Sequence, residues 1–483
     1  MALPMPTLAD LTPLRPEIFV CGAAFALLMV DLFLSDARRG LTHFLALFIL
    51  AAAGVLTARE LGSDATWGFA NQFVRDTAGD VLKLAIYVVT GAAFVYAKPY
   101  LQDRGLFKGE FYVLGLFSVL GMMLMVSAGS LLVLYLGLEL LALSSYGLVA
   151  MDRDNPRSSE AAMKYFVLGS LASGLLLYGM SMVYGATGSL QLSEIHAAAA
   201  ATGDRTLLLF GVVFMLVGIA FKFGAAPFHM WLPDVYHGAP TAITLFIGSA
   251  PKLAAFGMAY RLLESGVGPL DAQWQDMVAW LSALSLVIGN LVALVQTNLK
   301  RMLAYSTISH VGFLFMGLAH GGSLGYGAAM FYAISYALMS AAAFGAIVLL
   351  SRKGHEAEEI ADFRGLWSRN PFQALLVMFI MASLAGVPPF LGFWAKVEVL
   401  LAAVDAGLLW LAIVGVVCAV IGAFYYLRVM KAMFFDEPEG EGPKIHADGH
   451  LRLVFTLNAA ALLGLGLFAG SVLRWVTLAF PAS

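Results

Sequence analysis

A succession of long apolar runs, separated by short polar connections, constrains this chain more than any other feature. A helix needs roughly 17–25 mostly apolar residues to cross the hydrocarbon core of a bilayer. Fourteen runs meet that requirement, the first at 18–34 and the last at 452–476. Only 12% of the 483 residues are charged and 60% are hydrophobic, whereas a soluble domain carries about a quarter charged residues. In lipid, backbone polar groups must be satisfied within the protein, and runs of this length do so as helices. The expected fold is therefore all-α: a polytopic membrane protein of about fourteen transmembrane helices, surrounded by the lipid bilayer. A net charge of −3 gives no sign of a nucleic-acid partner. Cys21 and Cys418 both fall in apolar runs, so neither a disulfide framework nor a metal cluster is indicated. No cleavable signal is expected, because the first run lacks a basic segment before it and a small-residue cleavage site. The chain holds no dinucleotide fingerprint, P-loop or CxxC motif, so no cofactor is expected on it.

Basic residues outside the runs or at their very ends are strongly segregated. Seventeen fall on one side, from Arg38 to Arg452 and including Lys300 and Lys444; six fall on the other, namely Arg15, Arg59, Arg75, Arg205, Arg261 and Arg474. Short loops rich in Lys and Arg stay in the cytoplasm. This bias predicts both termini outside the cytoplasm and an even number of spans.

Two runs are too long for plain spans, the seventh at 206–236 and the twelfth at 371–404. Both carry glycine and proline near the middle. The seventh reads Gly224-Ala-Ala-Pro227-Phe228 and the twelfth Gly386-Val-Pro-Pro389-Phe390. The two copies are five spans apart in order, an odd offset, so they run in opposite directions. A weaker echo joins Ala162-Met-Lys164-Tyr165 in the sixth span to Ala329-Met-Phe-Tyr332 in the eleventh. These matches predict two inverted five-helix repeats with broken seventh and twelfth helices, an arrangement found in transporters. The organisation expected is three N-terminal helices over 1–110, a first repeat over 111–262, a second over 276–433 and a C-terminal helix over 452–476.

Five basic residues lie inside the runs away from their very ends, and all are lysines: Lys83, Lys164, Lys222, Lys252 and Lys396. An intramembrane charge is costly, about 2.5–3.5 kcal/mol on insertion scales, and normally functional. Lysine can release a proton when desolvated, whereas arginine cannot. Glu139, alone among leucines in the fifth span, requires a partner from another helix or a proton; Lys222 is the expected partner. A static buried ion pair is the plainer alternative, but such pairs stabilise poorly. Lys222 precedes its break, at a half-helix C-terminus that favours a cation, and Lys396 follows its break, at the N-terminal end of a half-helix that disfavours one. Lys252 follows Pro251 in the middle of the eighth span. Lys164 lies near the basic side, where snorkelling is a rival reading, and snorkelling is the preferred reading for Lys83. His310 in the tenth span is suited to relaying a proton or to packing among Ser306, Thr307 and Ser309. His229, Asp234 and His237 cluster at the seventh break without a recognised metal-ligand spacing. The 351–370 and 431–451 segments are charged and expected to be solvated.

Taken together, these residues resemble the antiporter-like subunits of respiratory complex I, over essentially the whole chain. The strings Glu160-Ala-Ala-Met-Lys164-Tyr and Phe221-Lys222-Phe-Gly-Ala-Ala-Pro-Phe-His-Met-Trp-Leu-Pro-Asp234 are typical of the N type. The twelfth span carries Lys396 where the M type has a glutamate, and the long lateral helix of the L type is not seen. The resemblance implies a proton-translocating subunit of a bacterial NADH:quinone oxidoreductase in the cell inner membrane. Glu139 and Lys222 would form the pair of the first half-channel, Lys252 the connecting lysine with His310 beyond it, and Lys396 the terminal lysine. Lys164 would be a further family lysine of less defined role. It also implies M-type and K-type neighbours and a peripheral arm, with FMN, iron–sulfur clusters and quinone all in partner subunits. A subunit of a multi-subunit Na⁺/H⁺ antiporter is the alternative, since it shares the fold and these lysines. A scaffold whose charges only lock helices together is a second one.

Overall fold

The computed structural model describes residues 7–201, 205–437 and 448–480; Lys444, counted above with the basic side, lies outside them. Helices are numbered by crossing: α1 Arg15–Leu32, α2 Gly40–Ala58, α3 Thr77–Asp103, α4 Gly109–Val126, α5 Leu131–Val149, α6 Pro156–Thr187, α7a Thr206–Phe223 and α7b Trp231–Gly238. There follow α8 Thr241–Tyr260, α9 Asp271–Leu294, α10 Leu299–His320, α11 Gly322–Leu350, α12a Pro371–Ala385, α12b Leu391–Asp405, α13 Leu409–Phe434 and α14 Gly449–Leu467. Thirteen helical segments of the described residues are long and apolar enough to cross a membrane. The two fifteen-residue halves of the twelfth supply a further crossing only together.

Local chemistry sets several boundaries. Asp76 caps α3 by accepting from Gly79 N, and Ser130 caps α5 by accepting from Val133 N. Asn155 caps α6 with Pro156 at its first position, where the missing N–H costs nothing. Both predicted breaks are present. α7a stops at Gly224 (φ +75°) and α12a at Gly386 (φ +85°), the left-handed cap that glycine tolerates best. Each Gly-x-x-Pro segment also contains one cis peptide, Ala226–Pro227 and Pro388–Pro389.

Packing follows membrane rules, with small residues where helices approach. A Cβ on Gly121 of α4 would lie 2.6 Å from the Gly137 carbonyl oxygen of α5, and one on Gly179 of α6 would lie 2.7 Å from that of Gly211 of α7a. α8, α10 and α11 form the buried centre. Phe33, Phe48, Val420 and Leu427 on the peripheral helices are exposed, as lipid- or partner-facing side chains would be.

The structure corrects several expectations. The last span, expected as one helix over 452–476, divides at Phe468 into α14 and a terminal helix, Ala469–Ala479. The tenth helix begins at Leu299, not 303, so Lys300 lies inside it and is buried. Arg261, counted among the loops, is buried just after α8, and Arg75 is buried too. The buried basic residues thus include Arg75, Arg261 and Lys300 beside Lys83, Lys252 and Lys396. The 59–76 connection contains a small antiparallel hairpin, β1 Thr66–Gly68 and β2 Phe73–Arg75, in register Thr66↔Arg75, Trp67↔Val74, Gly68↔Phe73.

Candidate functional site

The first cluster joins α5, α6, α7a and α7b. Glu139 and Lys222, both half-buried, line one small cavity of about 20 Å³ with Tyr146, Tyr165 and Trp231. They do not touch: no ion pair within 4 Å links them, and the Glu139 carboxylate instead accepts the Ser173 hydroxyl of α6. The expected direct pair is thus a shared cavity with room for about one water. Its wall is rigid. Trp231 stacks on Tyr165 with ring centroids 4.7 Å apart and donates Nε1–H to the Phe221 carbonyl at 3.0 Å.

Lys252 of α8 is 2% exposed. Its Nζ donates to the Phe223 carbonyl at 2.7 Å and lies 5.7 Å from the Trp231 ring centroid. Phe223 is the last residue of α7a, whose final carbonyls have no helical partner and carry the negative end of the dipole. Lys252 therefore occupies the position that proximity in sequence suggested for Lys222.

Lys396 repeats this arrangement in the second break. Although it belongs to α12b, its Nζ reaches back to the Leu384 and Ala385 carbonyls at 3.1 and 2.8 Å, at the end of α12a. The expectation that a positive helix end disfavours its charge is overturned, because the ammonium sits at the negative end of the preceding half-helix. It also lies 5.2 Å from the Phe313 ring centroid. Phe313 stacks on Tyr332, and the Tyr332 hydroxyl is 2.7 Å from Nδ1 of His310. Nε2 of His310 is 3.1 Å from the Tyr426 hydroxyl, which in turn meets Ser306. His310 is thus fully engaged by two phenols, one on each ring nitrogen.

Lys164 stands apart from this buried line. It is half-exposed at the basic face, bridging Glu160 at 2.9 Å and Asp234 at 2.8 Å, and Asp234 also meets Arg301 at 3.0 Å. Asp234 is thereby committed to cations and His237 faces Glu358 at 3.8 Å, so the cluster at the seventh break does not converge on a metal. Lys83 does not snorkel: its Nζ lies 2.6 Å from Glu17 of α1, and both side chains are buried. Asp31 accepts from Thr42 at 2.6 Å.

Sequence reasoning missed four participants. Glu17, in the first turn of α1, is buried against Lys83. Arg261 pairs in bidentate fashion with Asp76, both bonds at 2.7 Å. Lys300 donates to the Ala239 carbonyl at 2.8 Å. Glu356 accepts from Tyr100 at 3.0 Å, from Thr241 and from Arg104. Burial pushes the Glu356 carboxyl up, but Lys300, Arg104 and these hydrogen bonds outweigh it and hold the group below its ordinary value. The same contest, won by Arg261, lowers Asp76. Only the three-dimensional meeting of distant segments reveals these partners.

Residues 128–422 match the family described as NADH:quinone oxidoreductase/Mrp antiporter, TM. The chain is 62% identical over 474 residues to NADH-quinone oxidoreductase subunit N of Xanthomonas euvesicatoria pv. vesicatoria, covering 98% of this chain and 97% of that one. Its structure is similar to a chain of respiratory complex I from Thermus thermophilus with bound aureothin, with TM-score 0.83, 32% identity and coverage of 96% and 100%. A chain of the Mrp complex from Dietzia sp. DQ12-45-1b shares the fold, with TM-score 0.83 at 23% identity and coverage of 98% and 97%. The chain belongs to the family of NADH-quinone oxidoreductase subunit N.

Proposed function

We propose that this chain is a proton-translocating membrane-arm subunit of an NADH:quinone oxidoreductase, moving protons along Glu139, Lys222, Lys252, His310 and Lys396. The observation that carries this reading is the matched pair of ammonium sites at the two breaks. Lys252 and Lys396 each hold the last carbonyls of a half-helix, and discontinuous helices serve ion sites in this way in other transporters. Each lysine has two options: charged against those carbonyls, or neutral after handing its proton to a neighbouring hydroxyl or water. Entry at the Glu139–Lys222 cavity biases the first lysine, and coupling between neighbouring charges carries the change to Lys396. Lys164 acts from outside this line by fixing α7b through Asp234.

The energy comes from electron transfer in partner subunits, which hold FMN, iron–sulfur clusters and quinone; no redox centre or cofactor residue is assigned to this chain. Neighbours of the M and K types and a peripheral arm complete the assembly. The segments 111–262 and 276–433 act as two inverted half-channels, between the N-terminal helices 1–110 and the C-terminal segment. The basic face is toward the cytoplasm of a bacterial inner membrane, with both termini periplasmic.

The test is the Lys222→Ala chain in native membranes, with assembly checked on native gels and both NADH:quinone activity and proton uptake recorded. Loss of both in an intact complex is expected; near-normal uptake in an intact complex defeats the proposal. Unchanged NADH:quinone activity after deletion of the whole chain would point to the antiporter reading.

A further inference from the structure

A helix break leaves backbone groups that no helix satisfies, and at each of the two breaks a fully buried serine takes one of them. At the seventh, Ala225 N donates to the Ala220 carbonyl at 2.8 Å and Gly224 N to the Phe221 carbonyl at 2.9 Å. The Phe223 carbonyl is left for Lys252. The next N–H along the chain belongs to Ala226, and Pro227 has none. Ala226 N donates at 2.9 Å to Ser285 Oγ of α9, and that hydroxyl donates in turn to the Leu281 carbonyl at 2.7 Å.

At the twelfth break, Gly386 N and Val387 N both donate to the Ala382 carbonyl at 3.0 Å, and the Leu384 and Ala385 carbonyls are left for Lys396. Pro388 and Pro389 again supply no N–H. α12b then opens with donors that lack a helical partner, and one of them, Gly392 N, donates at 3.1 Å to Ser383 Oγ. Ser383 immediately precedes Leu384 in the chain. Both Ser285 and Ser383 are 0% exposed. In the seventh break the lysine and the serine come from other helices, α8 and α9; in the twelfth both belong to the broken helix itself. One pairing, an ammonium on carbonyls beside a hydroxyl on an N–H, is thus assembled twice from differently placed residues.

We propose that Ser285 and Ser383 are positioning residues of the two ammonium sites, each hydroxyl fixing its broken segment so that the last carbonyls of the half-helix stay aimed at the lysine. The inference deepens the transport reading and rests on Lys252 and Lys396 belonging to the line. Only Gly224 and Ala225 lie between Phe223 and Ala226, so a shift of the Ala226 N–H moves the Phe223 carbonyl with it. Ser383 is one peptide from the Leu384 carbonyl. Removing either hydroxyl leaves a buried N–H without an acceptor, which is costly. The segment then turns to find another partner and carries the carbonyls off the ammonium. A lysine shut off from water depends on such groups for its charged form. Neither serine gains or loses a proton.

The experiment compares Ser285→Ala, Ser285→Thr, Ser383→Ala, Ser383→Thr, Lys252→Ala and Lys396→Ala in inverted native-membrane vesicles at matched content of assembled complex. Proton uptake is read as a function of pH. Lys222 is the ionisable group facing Lys252, and His310 faces Lys396; both are retained in every variant. Each alanine variant of a serine is expected to lower uptake by about threefold or more and to move its alkaline limit to lower pH by about half a unit or more. Threonine, which keeps the hydroxyl, is expected to restore both. Unchanged uptake and pH dependence per assembled complex in the two alanine variants, with Lys252→Ala and Lys396→Ala still inactive, overturn the positioning role, and so does a loss of assembly with an unchanged pH profile. Normal uptake in Lys252→Ala and Lys396→Ala removes the underlying transport reading instead. Should an alanine variant fail to assemble, the cysteine variant at that position, a weaker acceptor, decides by the same criteria.

Discussion

Lys396 crosses its own helix break to reach Ala385: Nζ donates at 2.8 Å to the carbonyl that ends α12a, although the lysine belongs to α12b. Lys252 makes the corresponding bond to Phe223 at 2.7 Å from a separate helix, α8. The two breaks thus present the same ammonium-on-carbonyl site, built from differently placed lysines. An arginine at either position could keep the cation but could not surrender a proton. Lys396→Arg is therefore expected to assemble yet lose proton uptake by about tenfold or more, like Lys396→Ala. Uptake measured at matched complex content checks this, and an active Lys396→Arg would show that release from this site is unnecessary.

Ser173 is the partner recorded for the Glu139 carboxylate. Hydrogen bonds to charged groups are worth about 1.5–3 kcal/mol. Ser173→Ala is expected to leave assembly intact and to change the rate of proton uptake several-fold, because Glu139 is then free to turn toward Lys222. An unaltered rate would mean that this bond does not restrain the carboxylate.

Glu17 and Lys83 are buried together at 2.6 Å. Removing one partner of such a pair costs about 3–5 kcal/mol, whereas apolar replacement of both is often neutral. Lys83→Met alone is expected to lower thermal stability strongly, and Glu17→Leu with Lys83→Met much less. Thermal melting of the purified complex through the double-mutant cycle measures the coupling; additive losses would refute it.

Gly137 and Gly121 place α4 against α5, with each Cβ position within 2.8 Å of the other's carbonyl oxygen. Gly137→Ala forces the helices apart and is expected to cost about 1–3 kcal/mol, as overpacking does. Detergent-solubilised complex should melt earlier; an unchanged melting temperature would show that the contact is slack.

Glu356 ties the 351–365 segment to α3 and α8 with a carboxyl held below its ordinary value. A carboxylate depressed in the folded state stabilises it fully above the unfolded value, and loses that contribution as pH falls through the folded value. Glu356→Gln is thus expected to melt earlier than the parent at pH 7, with the gap closing below about pH 4.5. A gap constant with pH would assign the effect to shape alone.

What the sequence determined by itself was whatever depends on neighbours along the chain. Crossing helices follow from the length of apolar runs, because the bilayer leaves a backbone no other donors or acceptors. The two breaks were legible in Gly224–Pro227 and Gly386–Pro389, where glycine takes the left-handed cap and proline withholds an N–H. Lys222, Lys252 and Lys396 stood out because a charge amid leucines is costly. Tertiary structure alone decided what those charges touch. Lys396 lies early in α12b by sequence, yet its ammonium belongs to the end of α12a. Glu139 meets Ser173 and not Lys222 directly, Lys83 is buried against Glu17, and Lys300 and Arg261 are interior residues that the apolar pattern left in loops. The physical reason is reach: a long side chain on a flexible stem chooses among partners brought together by helix packing, and neither their direction nor their distance is encoded in the local pattern.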